Sequence, residues 1–314
     1  MPPPGPIPSV TRREALRALA ALGAAALLRP ASAWAQPPGP VLTRRIPSSG
    51  EELPVVGLGS WITFNVGDDP EARAECTGVM RDFFALGGRL IDSSPMYGSS
   101  QAVIGFGLKN LNRPAALFAA DKVWTSGRDG AGQIAETQRR WGSARLDLLQ
   151  VHNLENWEQH LPMLFAMKAA KQVRYVGVTT SHGRRTAEVE NLVRTQPLDF
   201  VQVTYNLLDR EVDRRLLPLA QERGVAVIIN RPFREGALIR AMLRRPLPAW
   251  AREIDCANWA QFLLKFIVSH PAVTCAIPAT GNPAHVRENM GAARGRLPDA
   301  AMRQRMIRYV EALG

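Results

Sequence analysis

The sequence predicts an α/β protein built as a (β/α)8 TIM barrel, with an N-terminal β-hairpin before the barrel and a C-terminal extra helix after it. Three observations carry that reading. Eight short apolar runs, each bounded by glycine or polar residues, recur along the 314 residues. Each is followed by a stretch with helical spacing. The runs are apolar at successive positions, as in strands covered on both faces, and do not alternate as half-exposed strands do. Eight strands alternating with eight helices over roughly 250 residues is the pattern of a closed parallel barrel.

In order, the strands fall near Val55–Gly57, Arg89–Asp92, Leu117–Asp121, Leu146–Val151, Tyr175–Thr179, Phe200–Val203, Val225–Ile229 and Thr274–Ile277. The helices fall at Glu71–Leu86, Ser100–Leu111, Gly132–Trp141, Trp157–Lys171, Thr186–Arg194, Asp213–Arg223, Trp259–Ser269 and Pro283–Met290, with a last one from about Pro298 to Leu313. Gly87, Gly224 and Gly291 stand where helix C-caps are expected. Ahead of the barrel, Pro47-Ser-Ser-Gly50 separates two extended pieces within Val41–Val56, a hairpin signal. Between Phe233 and Asn258 the periodicity fails, which points to a long loop or a short broken helix. A doubly wound open sheet is the competing architecture. It wants a Gly-rich phosphate loop after its first strand, but Gly57-Leu-Gly59 lacks the third glycine and no helix follows it directly.

Residues 1–35 read as a leader outside the fold. Thr11-Arg-Arg-Glu-Ala-Leu16 opens an Ala/Leu-rich stretch ending at Leu28, and Ala31-Ser-Ala33 and Ala33-Trp-Ala35 are small-x-small cleavage patterns. Paired arginines before a mild apolar run predict a twin-arginine signal peptide, with the twin-arginine translocase as export partner and the periplasm of a bacterium as destination. The apolar run falls short of the ~20 residues of a membrane span, so no stable membrane anchor is expected. Residues 36–40 form a linker and the barrel domain takes 41–314. The net charge is +11, and the leader's four arginines and one glutamate leave +8 on the remainder. Arginine pairs at Arg139-Arg140, Arg184-Arg185, Arg214-Arg215 and Arg244-Arg245 scatter over helix surfaces and loops without interleaved aromatics. Nucleic-acid binding is therefore not expected, whereas an anionic ligand such as a nucleotide phosphate is compatible. Cys76, Cys256 and Cys275 are odd in number and form no CxxC, so a disulfide framework is not indicated.

The chemistry concentrates at three successive strand ends. Gly88-Arg-Leu-Ile-Asp-Ser-Ser-Pro-Met-Tyr-Gly98 ends a strand at Asp92 and brings Tyr97 five residues later, in a loop. The next strand ends at Lys122 and the one after it at His152. Barrel enzymes work at this end, and neighbouring parallel strands lie about 4.8 Å apart. Asp92 can then pair with Lys122, Lys122 can sit against the Tyr97 phenol, and His152 can orient a substrate oxygen. Lowering a phenol from about 10 to about 7 takes roughly 4 kcal/mol, an amount one desolvated ammonium can supply. Carbonyl reduction needs such a proton donor, and its hydride must come from a cofactor. Trp61, Met96, Trp124 and Trp157 each follow a strand end closely and are candidates to wall an apolar substrate pocket.

These residues resemble the aldo-keto reductases, nicotinamide-dependent barrel oxidoreductases, over about Val41 to Met290. The motifs that carry the resemblance are Gly57-Leu-Gly-Ser-Trp61, Ile91-Asp-Ser-Ser-Pro-Met-Tyr-Gly98, Leu148-Leu-Gln-Val-His-Asn153, Val173-Arg-Tyr-Val-Gly-Val178, Gln202-Val-Thr-Tyr-Asn206 and His285-Val-Arg-Glu-Asn289. The resemblance implies a catalytic tetrad of Asp92, Tyr97, Lys122 and His152. It further implies that Asn153 and Gln202 bond the nicotinamide carboxamide, that Asn230 and Arg231 line the cofactor, and that Glu288 and Asn289 lie near its adenine end. Three positions depart from the family pattern. Thr179-Thr180 replace a frequent Ser-Asn; Asn230 stands where an aromatic commonly stacks on the nicotinamide; and Ala279 and His285 replace the usual 2′-phosphate clamp, leaving Thr280 and Arg287 as substitutes. NADP(H) is favoured and NAD(H) is possible. The expected function is reduction of an aldehyde or ketone, or oxidation of the alcohol, on a small-molecule substrate. The competing reading is a periplasmic binding or scaffold protein that bears the tetrad without useful turnover, since reduced nicotinamide is scarce outside the cytoplasm. A metal-dependent hydrolase is poorly supported, because there is no HxH and only His152 of five histidines ends a strand.

Overall fold

The structure is a computed structural model that describes residues 39–313. The predicted leader, with its twin arginines and cleavage patterns, and most of the linker lie outside the described residues.

The chain begins with an antiparallel hairpin, β1 (Thr43–Arg45) and β2 (Glu52–Pro54), in which Arg45 faces Glu52. The barrel strands follow as β3 (Leu58–Gly59), β4 (Leu90–Asp92), β5 (Phe118–Val123), β6 (Leu146–His152), β7 (Val173–Thr179), β8 (Phe200–Thr204), β9 (Ala226–Asn230) and β10 (Val273–Ala276). They form one parallel sheet in sequence order. Backbone bonds from Gly57 to Ala276 (2.8 Å), Gly59 to Pro278 (3.1 Å) and Ala276 to Val55 (2.9 Å) join the first strand to the last and close the barrel. The expected first strand at Val55–Gly57 is thus the face that meets β10, whereas the ladder with β4 lies on Leu58–Gly59. This closure leaves no room for a side chain at Gly59, where a Cβ would come within 2.7 Å of the Ile277 carbonyl oxygen.

The helices are α1 (Pro70–Ala85), α2 (Ser100–Asn110), α3 (Gly130–Trp141), α4 (Trp157–Ala169), α5 (Thr186–Thr195), α6 (Leu216–Glu222), α7 (Ala237–Met242), α8 (Trp259–Val268), α9 (Pro283–Gly291) and α10 (Ala300–Ala312). Several starts are written locally. The Asp69 carboxylate accepts from Ala72 N ahead of Pro70, Asn258 accepts from Gln261 N, and Asp299 accepts from Met302 N. Gly87 and Gly224 end their helices at φ of 90° and 65°, as expected. Gly291 differs, being the last residue of α9 in ordinary conformation, where a side chain would collide with Gln261. The expected helix Asp213–Arg223 is shorter, a 3-10 turn at Glu211–Asp213 followed by α6. The aperiodic stretch holds α7 and a 3-10 segment at Ala249–Ile254.

Alternation along each strand makes two apolar layers. Leu90, Phe118, Leu148, Tyr175, Phe200, Ile228 and Cys275 fill the barrel, and Ile46 and Leu53 of the hairpin region close its lower end. Residues of opposite parity, such as Ile91, Val151, Val178, Val203 and Ile229, pack outward against Leu161, Leu192, Leu217 and Leu264 of the helices. The three cysteines are free and buried. Among the described residues, no helix is long and apolar enough to cross a membrane. Following the inward parity upward leads to Asp92, Lys122, His152, Thr179, Gln202 and Asn230, all at the upper ends of their strands.

Candidate active site

Lys122 and Asp92 meet in the interior, 0% and 2% exposed. Lys122 Nζ donates to Asp92 Oδ2 at 2.6 Å and to the Ser93 carbonyl at 2.7 Å. The other Asp92 oxygen accepts from Gln202 Nε2 at 2.9 Å. A charge this deep is tolerable only when paired and hydrogen-bonded, and Asp92 has both. Burial works against the Lys122 charge, but Asp92 and then Tyr97 outweigh it and hold the amine above its ordinary range. Ser60 Oγ donates to the Asp92 carbonyl at 2.8 Å and anchors the strand end.

A turn delivers the phenol. Tyr97 N bonds to Ser94 O at 3.0 Å, with Pro95 at the second position, where its fixed φ suits a β-turn. Gly98 follows at φ 59°, where a side chain would strike Asn65. The turn lays the Tyr97 ring with its centroid 5.2 Å from Lys122 Nζ and edge-on to His152 at 5.7 Å. The four expected residues therefore converge. One expectation is reversed. The phenol is pushed up to about 12, first by burial, with Lys122 pulling it down and Asp92 and Asp121 adding to the rise. Although Tyr97 keeps partial exposure, desolvation of its hydroxyl exceeds the pull of one amine that already serves a carboxylate. Tyr97 thus keeps its proton through the neutral range. It remains more acidic than a water-like hydroxyl at about 16, so protonating an alkoxide stays downhill.

His152 is driven down to about 2 by burial and then by the Lys122 charge, so its ring is neutral. Its Nδ1 lies 2.7 Å from Ser94 Oγ.

Beside this cluster the strand ends form a polar rim. Thr179 Oγ1 donates to Gln202 Oε1 at 3.1 Å, Asn230 Nδ2 donates to the Thr180 carbonyl at 2.8 Å, and Thr204 Oγ1 donates to Asn230 Oδ1 at 2.7 Å. Asn230, at the position expected to have an aromatic, is thus built into a hydrogen-bonded chain. Asn153 follows His152 at φ 55°, and Arg185 Nη1 grips its carbonyl at 3.0 Å. Arg231 contacts His182 and Glu235, while its Nε is buried without a partner. An unspent guanidinium N–H beside amide and hydroxyl groups fits an anionic dinucleotide at this rim. Near α9, Thr280 Oγ1 accepts from Asn282 N at 3.0 Å and lies 3.3 Å from His285 Nδ1. Arg287 Nη1 pairs with Asp82 Oδ2 at 2.5 Å. Glu288 is half-buried and Asn289 buried on the same helix. Residues 55–306 match the family model described as the aldo/keto reductase family.

The chain belongs to the aldo/keto reductase family. It is an NAD(P)-dependent oxidoreductase of carbonyl compounds. It is 27% identical over 266 residues to methylglyoxal reductase YeaE of Escherichia coli, covering 82% of this chain and 92% of that protein. It is 23% identical over 308 residues to the NADH-specific methylglyoxal reductase of the same organism, covering 78% of this chain and 91% of that protein. An aldo-keto reductase from Klebsiella pneumoniae in complex with NADPH shares the fold at a TM-score of 0.71 and 22% identity, over 87% of this chain and 96% of that one.

The four residues expected to wall a pocket do not behave alike in this aldo/keto reductase. Trp61, Met96 and Trp124 sit in loops after three adjacent strands, β3, β4 and β5, with Met96 and Trp124 about two-fifths exposed. Trp157 instead opens α4, its indole nitrogen donating to Glu188 on α5 at 2.7 Å, and packs against the outer core. Two groups went unread in the sequence. Asp121 precedes Lys122 on the outward parity of β5 and takes bonds from Trp141 Nε1 (2.6 Å), Gln101 Nε2 (3.1 Å) and Lys122 N (2.7 Å). Burial drives it up to about 7. A charged residue on an outward strand position, facing helices instead of water, was the available signal. Ser94 is the other, hidden in a stretch that reads as a plain turn.

Proposed function

We propose that this enzyme reduces an aldehyde or ketone with Tyr97 as the general acid, and that it works in the periplasm after twin-arginine export. A bound nicotinamide cofactor would supply the hydride for the carbonyl carbon. The Tyr97 hydroxyl gives its proton to the carbonyl oxygen, completing the alcohol, and Lys122 stands against the phenolate that remains. Asp92 keeps that amine charged and in place. His152, neutral, donates to the same oxygen and aims the carbonyl. The observation that carries the reading is the buried Lys122 amine bonded to Asp92 at 2.6 Å with the partly exposed Tyr97 ring against it.

Arg231, Asn230, Gln202 and Asn153 would hold the dinucleotide, with Glu288 and Asn289 toward its adenine end. NADP(H) is the favoured cofactor, and Thr280 and Arg287 would hold its 2′-phosphate. Arg287 would have to leave Asp82, so NAD(H) remains usable. Trp61, Met96 and Trp124 favour an apolar or aromatic carbonyl over a small charged one. Aldehyde-dependent consumption of NADPH and NADH by the purified protein tests the reaction. Binding of dinucleotide without turnover on any carbonyl would favour the binding-protein reading. Fractionation of cells expressing the full chain tests the location, since Arg12→Lys/Arg13→Lys should strand the protein in the cytoplasm.

A further inference from the structure

We propose that Ser94 sets the tautomer of His152, keeping the ring hydrogen on Nε2. The argument is an accounting of hydrogens. Ser94 is fully buried, and its Oγ has two neighbours, His152 Nδ1 at 2.7 Å and Met96 N at 3.2 Å. The Met96 N–H can only donate. Were Nδ1 also to carry a hydrogen, Oγ would receive two donors and its own hydrogen would have no acceptor among the described residues. A buried donor without an acceptor is costly. With Nδ1 bare, the Ser94 hydroxyl donates to it, both contacts at the fully buried Oγ are satisfied, and the one hydrogen left over belongs to His152, whose ring keeps 6% exposure. The ring hydrogen then rests on Nε2, which bonds to no described residue and is available to a carbonyl oxygen. The neutral state of the ring makes this choice matter, since a doubly protonated ring would donate from both nitrogens.

The local sequence couples this to the acid. Ser94 is the first residue of the turn that delivers Tyr97, so one turn positions both groups that act on the substrate oxygen. Ser94, fully buried, acts through the His152 ring and is a positioning residue.

The tautomer half of the proposal stands on geometry alone, and its catalytic half rests on the carbonyl-reduction reading. The test is 15N NMR of the full chain labelled at histidine, with the His152 signals assigned by their loss in His152→Gln. The expected result is a protonated Nε2 and an unprotonated Nδ1 in the wild type. Ser94→Ala should mix the two tautomers, and Ser94→Thr, which restores a hydroxyl, should return the wild-type pattern. A wild type protonated at Nδ1, or a Ser94→Ala spectrum unchanged from wild type, overturns the assignment. In turnover, Ser94→Ala should lower kcat by about tenfold, the worth of one neutral hydrogen bond, with KM moved by less than about threefold. A changed tautomer with unchanged kcat overturns the catalytic half. A wild type inert toward every carbonyl would instead sink the functional reading, and the spectrum would still judge Ser94.

Discussion

At the bottom of the barrel Glu51 accepts hydrogen bonds from Arg89 (2.9 Å), Arg174 and Tyr175 (2.9 Å); at the top Asp92 accepts them from Lys122 (2.6 Å) and Gln202 (2.9 Å), beside Tyr97. Each end holds a carboxylate, basic side chains and a phenol, yet the phenols differ in what they do with their hydrogen. Tyr175 gives it to Glu51, while the guanidiniums, which do not deprotonate in proteins, lock the carboxylate. Burial alone would raise the Glu51 pKa, but Tyr175, Arg89 and Arg174 overcome it and hold the carboxylate low. The Tyr97 hydroxyl donates to no described residue, and the Asp92 oxygens take their bonds from Lys122 and Gln202 instead. One cluster is closed, and fastens the hairpin plug to β4 and β7. The other leaves a donor unspent at a rim that a ligand can reach.

The sharpest way to break this contrast is to remove each phenol in turn. Tyr97→Phe should cut carbonyl turnover by roughly 10²–10⁴-fold, with thermal stability unchanged. Tyr175→Phe should leave turnover within about twofold and cost about 1–3 kcal/mol of stability, because Glu51 loses a buried donor. Activity lost in Tyr175→Phe at intact stability would mean that the two ends are not separate devices.

The carboxylates give a smaller and opposite contrast. Lys122→Met leaves Asp92 buried with only Gln202, and should cost about 3–5 kcal/mol as well as turnover. Adding Asp92→Asn should restore part of that stability and none of the activity, since the two residues are in contact and their effects do not add. Glu51→Gln, at a partly solvated site with several partners, should cost about 1–2 kcal/mol and spare turnover. Denaturant titration of the three variants ranks them. A Lys122→Met protein as stable as the wild type would show that Asp92 does not need its amine.

Much of the upper cluster was legible because it is periodic. Asp92, Lys122 and His152 end successive strands on the same parity, and the motif around Tyr97 is contiguous. The lower cluster was not, because Glu51, Arg89 and Arg174 come from a hairpin loop and the starts of two strands, where polar residues are ordinary. The direction of the Tyr97 shift could not be read either. It depends on how dry the site is and on Asp121, which reaches the phenol only by charge across β5. Gln202 was expected to face the cofactor, and its bond to Asp92 arises because β8 lies across the barrel from β4, a distance in space that sequence spacing does not encode.

Asp121 gives the smallest effect and the finest test of why the upper end is dry. Its folded-state pKa is raised to about 7 from an ordinary carboxyl value of about 4, burial being the first cause, against the pull of Lys122 and its donors. Between those two values the folded protein holds a proton that the unfolded chain has released. Stability from this group therefore falls as pH rises from about 4 to about 7, and levels off above that. Asp121→Asn removes the titration. The stability of the wild type relative to Asp121→Asn should decline as pH rises across that window by an amount on the order of a few kcal/mol, while that of the wild type relative to Glu51→Gln, whose carboxylate is held low, should decline as pH falls below the ordinary carboxyl range. If the Asp121→Asn difference is flat from pH 4 to pH 8, the carboxylate is ionised throughout. Its donors would then outweigh its desolvation, and the rise at Tyr97 would owe more to this charge and less to burial.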